Sequence, residues 1–228
     1  MQNNFNHVDH GFVLPELECI TTPKMRTYTT PLGYKYPSVT TVLGADESKK
    51  EGLDKWRQRI GPEEADKIMR QAGIRGNAVH EMAEKFLNND ITWKKGAMPS
   101  NLLTFSQIKK VLIESVDNVW EQEVPLYSDR LKVAGRVDCI AEFNGKLSII
   151  DFKTSLRQKR KEWISGYFMQ TGFYAAAFYE QTGIAIKNGV IIIASDDSTS
   201  ADVFEINTFE YLPEFIKLRQ LFRSIHYI

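Results

Sequence analysis

Two aspartates and a lysine lie at the ends of two neighbouring apolar segments, where charged side chains need a compensating partner. Asp138 lies in "GRVDCI", and Asp151 and Lys153 lie in "SIIDFKTS", directly after an apolar run typical of a buried strand. The Asn144-Gly145 dipeptide between the segments predicts a tight hairpin. Asp138 and Asp151 are equally far from the centre of that turn, so we expect them to face each other on one side of the hairpin.

Facing carboxylates repel each other, and a divalent cation between them would turn that repulsion into binding. Lys153 is two residues beyond Asp151, so its side chain should point to the same face of the strand. Hard oxygen ligands suit Mg²⁺, for which Mn²⁺ would substitute, and an ion with open positions polarises a phosphate and activates water. The spacing predicts a site that hydrolyses phosphodiester bonds, although a surface ion-pair cluster on an edge hairpin fits the same spacing.

The surrounding pattern predicts an α/β fold, in which a mixed sheet is flanked by helices and follows an N-terminal helical and hairpin region. Pro62 fits a first helical position, whereas Gly73 and Gly76 predict a break within the second long helix. The predicted elements are a hairpin at 26–36, a helix capped by Ser38, helices at 49–60, 62–89 and 101–121, strands at 121–128, 131–143 and 146–154, a helix at 162–181, strands at 188–195 and 201–206, and a helix at 209–226.

The composition narrows the class of protein. The chain has 228 residues, 43% of them hydrophobic, and a net charge of zero, which argues against an indiscriminate nucleic-acid coat. Its two cysteines, Cys19 and Cys139, cannot supply a four-thiolate zinc or iron–sulfur site. There is no apolar run that would cross a membrane, no secretory signal and no evident transit peptide, so an intracellular, cytoplasmic protein is expected. The chain also lacks the glycine-rich fingerprints of nucleotide-binding small-molecule enzymes.

Five segments resemble the motifs of the PD-(D/E)XK nuclease superfamily and occur along the chain in the order of those motifs. "GRVDCI" and "LSIIDFKTS" resemble its Gly-X-X-Asp and Asp-X-Lys motifs, and "EVPLYS" (123–128) resembles the strand before them. "RGNAVHEMAE" (75–84) resembles the upstream Gly-X-X-X-His helix of the RecB-like exonuclease branch, which has mitochondrial and phage members. "FMQTGFYAAAF" (168–178) resembles the downstream Gln-X-X-X-Tyr helix of that branch. The resemblance implies a restriction-endonuclease-like core.

The resemblance also implies roles at the centre of the site. Asp138 and Asp151 would ligate the metal ion together with the backbone carbonyl of Phe152. Lys153 would position the attacking water and stabilise the developing charge. The branch accepts Asp at position 151, where many members of the wider superfamily have Glu. An iron–sulfur cluster, which some related nucleases carry, is not expected because there are only two cysteines.

Three helical residues receive roles from the resemblance, and each also has a simpler explanation. His80 would be an additional metal ligand or would support one, but an intrahelical pair with Glu84 would explain both residues. Gln170 and Tyr174 share one helix face and would orient Lys153 or contact the DNA backbone. The alternative is a helix that lies on the sheet with a polar edge.

A basic segment next to aromatic residues is a candidate contact for nucleic acid, because bases stack on rings and phosphates bind cations. A solvated surface and the core of an amphipathic helix are the alternatives. The candidate DNA-binding residues are Arg75, Arg157, Lys159, Arg160, Lys161, Trp163 and Tyr167.

The sequence therefore predicts a Mg²⁺-dependent DNA exonuclease that prefers single-stranded ends and acts in replication, recombination or repair. Residues 1–100 would form an N-terminal region that carries the His80 motif, and residues 101–228 the nuclease core, within one structural unit. No membrane partner is expected, and the sequence does not determine the oligomeric state, although it slightly favours a monomer. Two alternatives stay open: a structure-specific endonuclease of the same fold, and a non-catalytic nucleic-acid-binding module.

Overall fold

The computed structural model describes residues 4–226, except the side chains of residues 48 and 49. It contains two sheets and six α-helices within that range. The strands are Asn6–His7 (β1), Glu18–Thr21 (β2), Arg26–Thr29 (β3), Lys35–Pro37 (β4), Val116–Ser128 (β5), Val133–Phe143 (β6), Lys146–Ser155 (β7), Asn188–Ser195 (β8) and Asp202–Asn207 (β9). The helices are Val39–Leu43 (α1), Glu47–Ile60 (α2), Pro62–Leu87 (α3), Pro99–Ser115 (α4), Ser165–Thr182 (α5) and Thr208–His226 (α6).

The larger sheet has six strands in the order β1-β5-β6-β7-β8-β9 and is mixed. β7 and β8 run parallel because α5 connects them, and β1 runs parallel to β5, whereas the other neighbours are antiparallel. The predicted mixed α/β sheet with flanking helices is confirmed. The smaller sheet, β2-β3-β4, contains the predicted hairpin between β3 and β4 and adds a third strand that the sequence pattern did not indicate.

Apolar side chains cover both faces of the larger sheet, so the domain has three layers. One face packs against α3 and α4 through residues such as Val79, Phe105 and Ile108. The other face packs against α1, α5 and α6, where Phe173 and Phe215 are fully buried. Because α3 contributes to the same core as the sheet, its polar face is held in a fixed position relative to the sheet's end.

The predicted end of one helix is wrong. The helix predicted at 101–121 ends at Ser115, and Val116–Trp120 belongs to β5. The ladder between β5 and β6 is bulged from Val116 to Glu121, so Val116 and Val119 are both buried although they are three residues apart. A bulged strand therefore has the apolar spacing of a helix, which explains the error.

The break predicted near Gly73 and Gly76 is also wrong, because α3 runs without interruption from Pro62 to Leu87. Gly73 is exposed, with open space around its Cα, and Gly76 faces β7, where an added Cβ would lie 3.9 Å from the Thr154 hydroxyl. Packing of α3 on the sheet outweighs the lower helix propensity of both glycines. The predicted cap is confirmed, since the Ser38 hydroxyl accepts a hydrogen bond from the Thr41 amide at the start of α1.

Within residues 4–226, no helix combines the length and the apolar character that crossing a membrane requires.

Candidate active site

The site lies where β6 and β7 separate. Their antiparallel ladder follows the predicted register from Phe143↔Lys146 to Cys139↔Ile150 and ends there. Beyond this point β6 continues along β5, and β7 continues along β8. Asp138 and Asp151 would form the next pair of the ladder. Both aspartates therefore lie where the two strands begin to diverge.

Beyond the end of the ladder, the carboxylate of Asp138 takes the place of a backbone carbonyl as a hydrogen-bond acceptor for β7. Its Oδ2 accepts a hydrogen bond of 2.8 Å from the backbone amide of Phe152, and its Oδ1 lies 3.5 Å from His80 Nδ1. The side chain is 11% exposed. Burial raises the pKa of Asp138, but His80, Lys153 and the Phe152 amide outweigh that effect and lower it below its ordinary value, so the group is ionised.

Asp151 is almost completely buried, and its side chain is 1% exposed. One carboxylate oxygen forms an ion pair with Lys153, and neither oxygen has another hydrogen-bond partner among residues 4–226. Burial, with a contribution from Asp138, raises the pKa of Asp151 to about 6 despite the opposing effect of Lys153. A buried carboxylate with so few partners is costly, and a cation would compensate it.

Lys153 follows Asp151 on the same face of β7 and is 20% exposed. Burial lowers its pKa, but Asp151 and Asp138 outweigh that effect and raise it above its ordinary value, so the ammonium group stays charged. Its Nζ also lies 5.2 Å from the centre of the Tyr167 ring on α5. The ammonium group is therefore fixed between the carboxylates and the aromatic ring.

His80 reaches the site from α3, one turn after Gly76, and faces Asp138. Burial lowers its pKa, but Asp138 outweighs that effect and raises the pKa above the ordinary value. Its ring meets the Phe152 ring edge-on, with 6.2 Å between centroids. The structure thus places His80 against the predicted metal ligands.

Gln170 and Tyr174 lie on α5 under the separated part of β6. The Tyr174 hydroxyl donates a 2.7 Å hydrogen bond to the Arg136 carbonyl, and the Gln170 amide donates to the Tyr174 hydroxyl at 3.2 Å. The Tyr174 ring passes so close to Gly135 that an added Cβ would lie 2.9 Å from it. These contacts hold the strand that carries Asp138, and both side chains line the same cleft as Lys153. The α5 residue whose ring lies over the Lys153 ammonium group is Tyr167.

Glu123 is a site residue for which the sequence analysis gave no role. One ligand atom each of Glu123, His80 and Asp138 forms a group in which all atoms lie within 4.8 Å of one another. Burial and the nearby Asp138 raise the pKa of Glu123 to about 7. The signal in the sequence was the position of Glu123 at the start of "EVPLYS", on the strand next to Asp138.

A cleft of 610 Å³ opens above these side chains. One wall is α3 with Gly76 and His80, the floor is the end of β6, and Arg26 and Tyr28 of the smaller sheet line the opposite side. The carboxylates of Asp138 and Glu123, the His80 imidazole and the Lys153 ammonium group line this space. With the buried Asp151 paired to Lys153, they form a donor set suited to a hard divalent cation and a phosphate. The residues present therefore fit a metal ion.

The candidate DNA-binding residues fall into two groups. Arg75 does not line the cleft; its guanidinium forms a 2.6 Å ion pair with Asp196. Arg157, Arg160, Lys161 and Trp163 are exposed, Lys159 and Tyr167 are half-buried, and all six lie in or just after the segment that follows β7. The Arg160 guanidinium lies 5.4 Å from the Trp163 ring centre, and Trp163 is 62% exposed. This segment offers an exposed aromatic and basic surface and leads into α5, where the Tyr167 ring lies beside Lys153.

The mixed sheet with flanking helices is consistent with the fold of the PD-(D/E)XK nuclease superfamily, and the sequence profile of that superfamily matches residues 50–223. The chain belongs to this superfamily, whose nucleases use divalent metal ions. Mitochondrial genome maintenance exonuclease 1 of Homo sapiens is 30% identical over 178 residues, which cover 72% of this chain and 51% of the relative. The protein of the same name from Mus musculus is 26% identical over 176 residues, with coverages of 72% and 51%.

The chain spans about half the length of the curated relatives it matches. A solved structure described as the crystal structure of SSO0001 is 22% identical, covers 67% of this chain and 71% of its own, and has a TM-score of 0.35. That structural similarity is too low to add to the family assignment. The predicted resemblance to the PD-(D/E)XK superfamily is confirmed by the profile and by the relatives.

Proposed function

We propose that this chain is a Mg²⁺-dependent DNA exonuclease that degrades single-stranded ends and acts in replication, recombination or repair of DNA. The observation that carries the proposal is the ion pair of the buried Asp151 with Lys153, on one strand face beside Asp138 where β6 and β7 separate. The family supports phosphodiester hydrolysis, and the printed name of the relatives supports exonuclease action in genome maintenance.

The metal ion would be held by Asp138, Asp151 and the Phe152 carbonyl, with His80 as a further ligand. When bound, the ion withdraws charge from the scissile phosphate and makes water a better nucleophile. Lys153 would keep its ammonium group aimed at the developing charge, because Asp151 and the Tyr167 ring fix its position. Gln170 and Tyr174 would act indirectly, by holding the strand that carries Asp138.

The preference for single strands is supported by the surface beside the site. Trp163 and Arg160 form an exposed stack on which a base and a phosphate could bind together. Arg157 and Lys161 are exposed on the same segment, whereas Arg75 is already neutralised by Asp196. We therefore place the strand end along the segment after β7, with Arg75 outside the contact.

The test is digestion of end-labelled single- and double-stranded DNA with Mg²⁺, with Mn²⁺ and with a chelator. We expect short products from one end of the single strand, and loss of at least about 10²-fold in rate for Asp151→Asn and Lys153→Ala in folded protein. Lys146→Ala is the matched control, since Lys146 is an exposed lysine of the same strand. Near-normal rates for either site variant would refute the proposal.

The same experiment separates the two alternatives. Internal cuts near junctions would indicate a structure-specific endonuclease. Binding of DNA without any cleavage, with all metals, would indicate a non-catalytic module.

A further inference from the structure

A second cavity, of 510 Å³, lies on the face of α3 opposite to the cleft. It is enclosed by α3, by the first turns of α4 and by the segments that directly follow β7 and β8. Leu156 lines this cavity and follows Lys153 by three residues, so their Cα atoms are at most about 11 Å apart. A DNA strand that passes Lys153 can therefore reach the cavity within a few nucleotides.

The walls of the cavity carry large apolar side chains that are open to solvent. They are between 52% and 71% exposed and come from α3, from α4 with its cap and from the segment after β7: Ile74, Met98, Leu103 and Leu156. The fold thus gathers apolar groups from distant parts of the chain at one concave place. An exposed apolar patch of this kind marks a binding site, whereas scattered apolar residues do not.

A buried amide without a partner also lines the cavity. Asn101 is 8% exposed, yet its side chain makes no hydrogen bond with any residue among 4–226. The nearby Gln107 amide, by contrast, donates to the carbonyls of Ser195 and Ser198 at 2.9 Å. The first turn of α4 has no side-chain cap, so its backbone N–H groups are further donors. A ligand that presents both donors and acceptors would satisfy the Asn101 amide.

The charges favour an uncharged ligand inside the cavity and phosphates outside it. Among the described residues that line the cavity, only Arg75 and Asp196 are charged, and they neutralise each other in their ion pair. The next residue after Leu156 is the exposed Arg157, which begins the basic segment. A nucleobase is uncharged, has two apolar faces and carries donors and acceptors along its edge, while its backbone carries the negative charge.

We propose that this cavity binds one nucleobase of the substrate strand, a few nucleotides from the scissile phosphate, with the adjoining phosphates on the basic segment. The inference rests on the proposed function, because it extends the contact with the strand beyond the cleft. The apolar side chains would cover the faces of the base, and the Asn101 amide would bind its edge. An asparagine amide pairs with adenine through two hydrogen bonds, so adenine is the expected preference.

The test measures binding of the full chain to labelled single-stranded oligonucleotides by fluorescence anisotropy in the presence of a chelator. One abasic site is moved along the strand, one position at a time from each end. For the wild type we expect at least about fivefold weaker binding when the abasic site occupies one particular position, and tightest binding when adenine occupies it. A flat series of affinities would overturn the proposal.

Two variants connect that position to the cavity. Asn101→Leu keeps the volume of the side chain and should abolish the preference for adenine, whereas Leu103→Ala changes an exposed residue and should reduce the abasic effect. Ile113→Ala is the matched control, because Ile113 is an exposed apolar residue of α4 outside this cavity, and it should behave like the wild type. An unchanged positional effect and adenine preference in both cavity variants would overturn the proposal, and circular dichroism checks that each variant is folded.

A parallel arm replaces the oligonucleotides by free deoxynucleosides. Binding of these in the cavity without any positional effect in the strand would also overturn the proposal, because the ligand would then be a released product. Since no arm depends on cleavage, the two proposals fail separately. A positional effect in a protein that never cleaves DNA would refute the proposed function alone, and a flat series in an active exonuclease would refute this inference alone.

Discussion

At the scale of single residues, the acids of the cleft are held in places that are unfavourable without a ligand. Asp151 is buried with one partner, and Glu123 is directed toward Asp138 by a backbone conformation that favours glycine or asparagine. Groups arranged for a ligand commonly reduce the stability of the empty protein. The loss of stability caused by these acids should be measurable as a dependence of the free energy of unfolding on pH.

Glu123 provides the clearest case. Its pKa is about 7 in the folded protein and 4.5 ordinarily, so between these values the folded protein keeps a proton that the unfolded chain has lost. Stability from this group is therefore present below pH 4.5 and is lost as pH rises to about 7. We expect metal-free Glu123→Gln to exceed the wild type by about 1 kcal/mol at pH 8, after allowance for partial exposure, and to match it near pH 4.

The measurement is urea unfolding of both proteins in chelator across that pH range. Glu81→Gln serves as the control, since Glu81 is exposed and should change the free energy of unfolding little at any pH. A difference between Glu123→Gln and the wild type that does not vary with pH would contradict the assignment of this pKa.

The central residues were predictable because their relation is local. Asp138, Asp151 and Lys153 lie on one hairpin, and the Asn144-Gly145 turn fixes which residues face each other. The sequence placed Glu123 on the strand next to Asp138, but its role also depends on a positive φ and on α3 bringing His80 across the sheet. A strand's alternation gives no sign of either.

At the scale of elements, α5 supports the site by two close approaches that require glycine. Gly135 on β6 admits the Tyr174 ring, and Gly172 on α5 admits the backbone of α6, where an added Cβ would lie 2.9 Å from the Thr208 carbonyl oxygen. The first contact holds the strand of Asp138, and the second holds α5 itself. The sequence predicted both helices but not how closely they pack.

A pair of glycine-to-alanine substitutions separates close packing from helix propensity. Gly172→Ala should lose about 1–3 kcal/mol of stability, because the backbones of α5 and α6 must move apart to admit the added methyl group. Gly73→Ala, in the exposed middle of α3, should gain up to about 1 kcal/mol, because alanine favours helix and nothing obstructs its Cβ. Thermal unfolding of both variants measures the difference, and a loss for Gly73→Ala would indicate that α3 is distorted there.

The errors at element boundaries have physical causes of the same kind. The bulges of β5 place Val116 and Val119 on one side and so imitate helical spacing. The glycines of α3 suggested a break, but tertiary packing determines that helix. In both places long-range contacts outweigh the local preference of the sequence. A local sequence pattern carries no information about such contacts.

At the scale of the whole molecule, the cleft exists because three parts of the fold meet above the separated strands. The α3 side of the sheet brings His80, the α5 side brings Tyr167 and Tyr174, and the smaller sheet closes the cleft with Arg26 and Tyr28. By contrast, α2 packs mainly against α3, to which the Arg57–Asp66 ion pair of 2.7 Å connects it. The order of strands and helices predicted the layers, whereas the smaller sheet's position over the cleft was not predicted.

The central claim is that Asp138 and Asp151 hold a divalent cation at the separation of β6 and β7. Anomalous scattering from a crystal soaked in Mn²⁺ tests it most directly. We predict an anomalous peak within about 2.3 Å of both carboxylates and the Phe152 carbonyl oxygen, as expected for Mn²⁺–oxygen distances. A fully soaked crystal with no peak there, and with Asp151 paired to Lys153 alone, would contradict the claim.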